Sequence, residues 1–421
     1  MTAPGLDVLV VGGGPGGATL AAYLARRGRR VLVLERDTFP RFHIGESLLP
    51  GSVQVFEELG LLPALEARFL RKDGAVFIDG PTGRETRYPF AEAFKLRHAH
   101  AYQVPRDEFD LLLLEHAVAC GAEARYGWTV ERMLLEDDRA VGVVARAPDG
   151  ARHEIRAALV ADATGRDALR AHASRSQQKL PLLERTLALY GQFRGVPRVE
   201  GPLGGDIRIV LSPACWFWLI PFADGRTSVG AVLDPSAIVQ AEGRADLDRT
   251  FATVRDACEP MRRLLEGAEP TLPIRAIADF SYRVTEICGD GWLAVGDAAG
   301  FIDPLFSTGI HLAVRGARLA AGHIDAALAD GDVSRARWVP YERSQRRATE
   351  IFVGAVQAFY RGLFKTMLVA PGVQRPYLRK LITSILAGDV YHDEEPRWLR
   401  DFATRFPAEM PGQATLPRMG G

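Results

Sequence analysis

The first 35 residues constrain this chain most. An apolar, β-branched run from Leu6 to Val11 leads straight into Gly12, Gly14 and Gly17 in the spacing GxGxxG. A helical stretch carrying Leu20, Tyr23 and Leu24 then stops at Gly28, and a second apolar run, Val31 to Leu34, ends on Glu35. The pattern predicts a βαβ unit whose tight first turn lacks Cβ atoms, so that backbone N–H groups at the positive end of the helix can approach a pyrophosphate. Glu35 stands at the spacing at which an acid accepts hydrogen bonds from an adenosine ribose, which favours FAD or NAD over a 2′-phosphorylated cofactor.

With 421 residues the chain is long enough for two joined domains or one large α/β domain. The segment VPRDEFDLLLLEHAVACG reads as a second helix ending at Gly121, and Ala140–Arg146 and Ile155–Ala161 read as a smaller antiparallel sheet. Strand-like runs at Ile207–Leu211, Trp216–Pro221 and Thr227–Leu233 indicate a β-rich insertion, after which Trp292–Val295 is the returning strand. Beyond Ser307 the pattern is helical almost to Asp389, and the Pro- and Gly-rich stretch from Pro407 reads as a poorly ordered tail. The expectation is an α/β fold in which residues 1–72, 95–170 and 280–330 form a Rossmann-like cofactor domain. Residues 73–94 and 171–279 form an inserted β-sheet substrate domain, and 331–421 a helical C-terminal region with a flexible tail.

Lys plus Arg and Asp plus Glu number 52 each, so no whole-chain field exists to hold nucleic acid or an anionic membrane. Cys120, Cys215, Cys258 and Cys288 lie far apart without a CxxC pair, which argues against a metal site and a disulfide framework and suits a reducing cytoplasm. No basic leader precedes the first apolar run, and no segment approaches the roughly 20 apolar residues of a membrane span.

Gly296 and Asp297 follow the returning strand in GDAAGFIDPLFSTGIHLA, which resembles the second FAD signature of the hydroxylase-like flavoprotein superfamily. The resemblance implies that Asp297 holds the ribityl chain and that the following helix start faces the isoalloxazine. Arg106 in QVPRDEFD, and Asp162 and Gly165 in DATG, match further cofactor contacts of that superfamily. The turn RFHIGESLLPG supplies Arg41, Glu46 and Ser47 as cofactor contacts, Arg36 stands beside Glu35, and His43 is either structural or chemical. Taken alone, Asp297 also fits a plain helix cap and Arg106 a solvated charge at a helix start.

Two further motifs narrow the resemblance. WFWLIP, with Trp216 and Trp218, is similar to the WxWxIP signature of flavin-dependent halogenases, and FIDPLFSTG at Phe301–Gly309 to their FxxPxxSxG. Two Trp residues two apart on a strand share a face, where they either pack an ordinary core or wall the flavin from a substrate. Lys72 in RKDGAVF matches the essential lysine of the family, and a desolvated amine can act as a donor while protonated or as a nucleophile once its pKa is depressed. The resemblance then implies an FADH2- and O2-dependent chlorination or bromination in which hypohalous acid reaches Lys72. Ser307 hydrogen-bonds or relays the oxidant, Pro304 is a cofactor contact, and Thr308 and Gly309 bind the halide at a helix start.

Free-tryptophan halogenases carry a Glu immediately before that serine; Phe306 stands here and cannot accept a proton. The wording through His311 resembles instead halogenases of phenols, pyrroles or acyl groups on a carrier protein, enzymes of secondary metabolism such as antibiotic biosynthesis. A separate flavin reductase is implied as a partner, since no second nucleotide fingerprint is present. Between Ile351 and Gly388 stand Arg361, Lys365, Arg375, Arg379 and Lys380 and no acid, either a docking surface for an acidic carrier protein or merely solvated charge. Asp303 is a carboxylate through which a flavin could be held covalently. The competing expectations are an FAD-dependent monooxygenase or geranylgeranyl-reductase-like enzyme, which needs neither Lys72 nor the Trp pair, and a silent flavoprotein that docks carrier proteins.

Overall fold

The computed structural model describes residues 5–184, 186–241, 244–369 and 375–411. Strand Leu6–Val11 runs into helix Pro15–Ala25 and returns through strand Val31–Glu35, parallel to the first with Val8 opposite Val31. On the other side of the first strand lies Arg152–Asp162, also parallel, and beyond it Trp292–Ala294. Val8, Leu9 and Val10 are all fully buried, as successive residues are when both faces of a parallel sheet are covered. Neighbouring parallel strands at a reversal of strand order leave a crevice outside their carboxyl ends. Here that crevice opens where Gly12 faces Ala163, so closely that a Cβ on Gly12 would lie 2.3 Å from the Ala163 carbonyl oxygen.

The small antiparallel sheet expected from Ala140–Arg146 and Ile155–Ala161 is only half of what these residues build. Arg152–Asp162 is one 11-residue strand. Its first part pairs antiparallel with Gly142–Arg146, and its second, from Ala157, joins the central parallel sheet.

A second, seven-stranded sheet has the order Glu269–Ala278, Leu187–Arg194, Thr227–Leu233, Cys215–Pro221, Ile207–Leu211, Gly74–Asp79, Glu85–Pro89. Residues of strand Cys215–Pro221 alternate between two cores. Trp216, Trp218 and Ile220 pack toward the C-terminal helices, whereas Cys215, Phe217 and Leu219 pack on the opposite face with Phe251 and Met261. The strand therefore presents both indoles on the face shared with the cofactor crevice.

Helices Thr308–Asp330, Val339–Tyr360, Leu363–Val369 and Pro376–Leu386 follow, as the pattern predicts. The helical region extends further than expected, because Arg397–Arg405 buries Trp398, Leu399 and Phe402 on one face. The start of the stretch expected as a tail from Pro407 is packed against the helices. Glu409 donates its backbone N–H to Gln357 Oε1 at 2.7 Å, its carbonyl accepts from Gln357 Nε2 at 2.9 Å, and Met410 is buried. The rest of the expected tail, 412–421, lies outside the described residues. Among the described residues no helix is long and apolar enough to cross a membrane.

Candidate active site

A cavity of about 990 Å³ runs from the glycine turn, past the carboxyl ends of the central strands, to the indole face of the second sheet. At one end are Gly12 and Gly14, with Gly14 capping helix Pro15–Ala25. Gly17 does not line the cavity. A Cβ there would lie 2.0 Å from the Gly12 carbonyl oxygen, so its role is to let helix and strand close together. Glu35 lines the cavity and is already engaged, accepting the N–H of Gly13 on Oε2 at 2.7 Å and that of Asp37 on Oε1 at 2.8 Å. Each oxygen keeps a second lone pair for a ribose hydroxyl.

Arg106 is buried at the cavity wall, its guanidinium donating to both oxygens of Asp110 at 2.7 and 2.9 Å and to the Ile44 carbonyl at 2.6 Å. Arg41 joins Asp110 at 3.2 Å, and exposed Arg36 pairs with Asp167. The Arg106 and Arg41 contacts hold the loop bearing His43 and Gly45 against the cavity. Asp162 departs from the motif-based expectation. It is fully buried, does not line the cavity, and accepts from the Thr164 N–H and hydroxyl at 3.1 and 2.6 Å and from the Arg170 N–H at 2.9 Å. This carboxylate shapes the loop that carries Gly165, which does line the cavity.

Gly296, Asp297 and Pro304 line the far side with Ser307, Thr308 and Gly309. Burial pushes the Asp297 carboxyl up to about 6, with Arg106 and Arg166 pulling the other way. Ser307 occupies the left-handed region at φ 56°, uncommon without glycine, and caps helix Thr308–Asp330 with backbone only. Its first-turn N–H groups therefore remain available at the positive helix end beside the cavity.

Trp216 and Trp218 close the end of the cavity away from the glycine turn, their centroids 5.9 Å apart. Trp218 donates to Ser228 Oγ at 3.2 Å and lies across Gly230, its direct neighbour on the next strand, where a Cβ would stand 2.2 Å from the indole. Trp216 donates to Tyr360 Oη at 3.1 Å, and Tyr360 donates to Asp303 Oδ2 at 2.9 Å. Asp303 is buried, does not line the cavity, and caps the Pro304–Phe306 turn by accepting the Leu305 N–H at 2.9 Å. Both its oxygens face the protein rather than the cofactor crevice.

Lys72 stands one residue behind the cavity wall. It is 1% exposed, and its Nζ donates to Ser47 Oγ at 2.8 Å and to the Leu48 carbonyl at 3.1 Å. Burial pushes the amine down to about 7, against a weaker pull from Asp206. Ser47 and Glu46 do line the cavity, and burial pushes the Glu46 carboxyl up to about 7 although it accepts from Gln192 Nε2 at 2.8 Å. His311 lies apart from the cavity, with Nδ1 3.0 Å from Ser52 Oγ. Phe306 is buried edge-on to Phe359 and Phe364. Tyr360, Gly230, Ser228 and Gln192 carry no motif, and only the register and the packing of the C-terminal helices bring them here.

Of the five basic residues read as either a docking surface or solvated charge, three are engaged within the fold. Arg361 pairs with Glu409, Lys365 donates to the Ser212 carbonyl at 2.8 Å, and Arg379 pairs with Glu92 and donates to the Arg87 carbonyl. Arg375 and Lys380 remain exposed.

A glycine turn at a parallel crevice, opening into a cavity walled by two indoles, marks a dinucleotide-binding fold, and comparison with known proteins specifies which kind. The family model described as tryptophan halogenase matches residues 7–98 and 85–362. A 1H-pyrrole-2-carbonyl peptidyl-carrier-protein chlorinase from Pseudomonas fluorescens is 32% identical over 91% of this chain and 89% of its own length. The corresponding brominase from Pseudoalteromonas luteoviolacea is 29% identical over 91% of each. Among solved structures, the flavin-dependent brominase Bmp2 superposes with a TM-score of 0.84 at 27% identity, covering 96% of this chain and 98% of that one. The myxobacterial chondrochloren halogenase CndH gives 0.77 at 31% identity, covering 95% and 96%. The chain belongs to the flavin-dependent halogenases, a family that uses FAD.

Proposed function

We propose that this enzyme uses reduced FAD, O2 and chloride or bromide to halogenate an electron-rich aromatic acyl group carried on a peptidyl carrier protein. The observation that carries the reading is Lys72, an amine buried beside the cofactor cavity on two neutral acceptors. The pyrrole-carrier names of the two relatives support the substrate class. Phe306 supports it too, because an activated pyrrole or phenol ring needs less help from a base than an indole benzo ring does.

The cavity fits FAD, since bare Gly14 at the helix start, where a Cβ would find nothing nearer than the Arg41 guanidinium at 3.6 Å, leaves room for a pyrophosphate. On this reading residues 1–72, 95–170 and 280–330 bind the cofactor, and 73–94 with 171–279 face the substrate. Glu35 receives the ribose, Arg36, Arg41 and Arg106 hold the phosphate side, and Asp297 receives the ribityl chain. Reduced FAD, supplied by a separate reductase, provides with O2 the oxidising equivalent that converts halide to hypohalous acid. The N–H groups of Thr308 and Gly309 hold the halide, and Ser307 orients the oxidant. Trp216 and Trp218 keep the ring end from the substrate, so halogen reaches it only by way of Lys72. We place the protein in a reducing cytoplasm, which suits four free thiols.

The test supplies reduced FAD, O2 and bromide or chloride to the wild type and Lys72→Ala, with pyrrole-2-carbonyl carrier thioester as acceptor. Halogenated thioester from the wild type and none from Lys72→Ala, which still binds FAD, is the expected result. An oxygenated product without halogen would move the chain to monooxygenase chemistry, and full halogenation by Lys72→Ala would remove the lysine from it.

A further inference from the structure

Lys72 does not itself line the cofactor cavity, whereas Ser47, its hydrogen-bond partner, does. Anything made in the cavity meets the serine before the amine. The segment is held firmly, because the Val104 N–H donates to the Glu46 carbonyl at 2.8 Å, the Leu48 N–H to the Tyr102 carbonyl at 2.9 Å, and Ser47 bridges to Gln103. A neutral amine has two N–H bonds, and Lys72 has two oxygen acceptors, Ser47 Oγ and the Leu48 carbonyl, which leaves its lone pair uncommitted. Ser47 Oγ accepts from Lys72, and among the described residues its own hydrogen meets no acceptor, so it is free to donate toward the cavity.

We propose that Ser47 is a catalytic proton relay between hypohalous acid in the cavity and Lys72. The inference rests on the halogenase reading given above. In the step, HOX moves out of the cavity to rest against both Ser47 Oγ and the amine 2.8 Å from it, the Lys72 nitrogen attacks the halogen, an N–X bond forms, and the X–O bond breaks with its electron pair staying on oxygen. Ser47 Oγ gives its proton to that oxygen, completing water, and takes one from Lys72 Nζ. HOX and R–NH2 become R–NHX and H2O, with no outside oxidant or reductant. A hydroxyl that already accepts from the amine and is free to donate toward the cavity makes the exchange without first creating an ammonium or a free hydroxide in a buried site.

The test bypasses flavin turnover. Full-length protein as purified is mixed with substoichiometric hypobromous acid for varied times, gel-filtered rapidly, and its retained oxidising equivalents are titrated with iodide. Lys72→Ala gives the background from other side chains. Ser47→Thr, Ser47→Val and Ser47→Ala are compared, Thr and Val being close in shape and differing in the hydroxyl. The expected result is Lys72-dependent haloamine at near wild-type rate in Ser47→Thr and at least tenfold slower formation in Ser47→Val and Ser47→Ala. Wild-type rates in the Val and Ala variants would overturn the relay while leaving Lys72 in place, as would a Thr variant no faster than Val. Wild-type protein retaining no more oxidant than Lys72→Ala would remove Lys72, and the relay with it.

Discussion

The indole N–H of Trp216 donates to Tyr360 Oη at 3.1 Å, so the indole wall of the cavity is held from the last residue of helix Val339–Tyr360, 144 positions away in sequence. Tyr360 in turn donates to the buried Asp303 carboxyl, which caps the turn leading into Ser307. One chain of hydrogen bonds thereby joins the Trp strand, the turn before Ser307 and the C-terminal helices. Such networks fix side-chain positions when every member is satisfied.

Burial lifts the Asp303 carboxyl to about 7, from an ordinary value of 3.8. Between these values the unfolded chain releases a proton that the folded chain keeps, so stability falls as pH rises through this window. Glu46 and Asp297, also raised by burial, act with the same sign. Asp303→Asn should remove part of this slope and gain on the order of 1–3 kcal/mol at pH 8 relative to pH 5. Urea midpoints at the two pH values check it, and an unchanged slope would mean that Asp303 ionises normally.

Lys72 acts in the opposite direction. Its amine is pushed down to about 7 from 10.5, so the unfolded chain binds a proton that the folded chain gives up, and stability rises with pH between these values. At pH 7 the wild type has yet to recover most of that cost. Lys72→Met, which keeps an unbranched chain in the buried site, should stabilise the fold by about 1–2 kcal/mol at pH 7 while abolishing halogenation. Thermal melts at pH 7 and 9 should show the gain shrinking as pH rises; a loss of stability at pH 7 would show the amine to be well accommodated as an ammonium.

Local sequence carried the nucleotide end of the site far better than the ring end. Gly12, Gly14 and Glu35 belong to one βαβ unit, where turn, helix start and strand end are near neighbours in the chain. Trp216, Trp218 and Ser307 were legible because strand alternation and a helix start are local patterns. Tyr360, Gly230 and Gln192 were not, since their importance comes from contacts that span register and domains. Motif matching also misplaced Asp162, because a residue type at a strand end does not reveal whether its carboxylate turns outward or into its own loop.

Gly230 gives a sharp test of that register. It lies directly opposite Trp218, and a Cβ would stand 2.2 Å from the ring, whose open side is the cavity. Gly230→Ala must displace the indole from the cavity wall, at a cost of about 1–3 kcal/mol for overpacking. The accompanying sign should be altered quenching of bound FAD fluorescence, with loss of the Trp218 bond to Ser228. A variant with unchanged stability and flavin spectrum would show the wall to be looser than its packing implies.

The basic stretch in the C-terminal helices divides into residues that build the fold and residues free to meet a partner. Arg379 pairs with Glu92, donates to the Arg87 carbonyl and lies 5.1 Å over the Tyr88 ring, joining helix Pro376–Leu386 to the edge of the second sheet. Arg379→Glu would set two carboxylates against each other there and should destabilise the fold by about 1–3 kcal/mol, lowering turnover of free and carrier-bound substrates alike. Arg375 and Lys380 are exposed, and reversing both removes positive charge from the surface without breaking those contacts. If an acidic carrier protein docks on this face, the double reversal should raise KM for the carrier-bound substrate severalfold, more at low salt than at high, and leave a free thioester analogue untouched. Equal effects on both substrates, or none on either, would move the docking surface elsewhere on the protein.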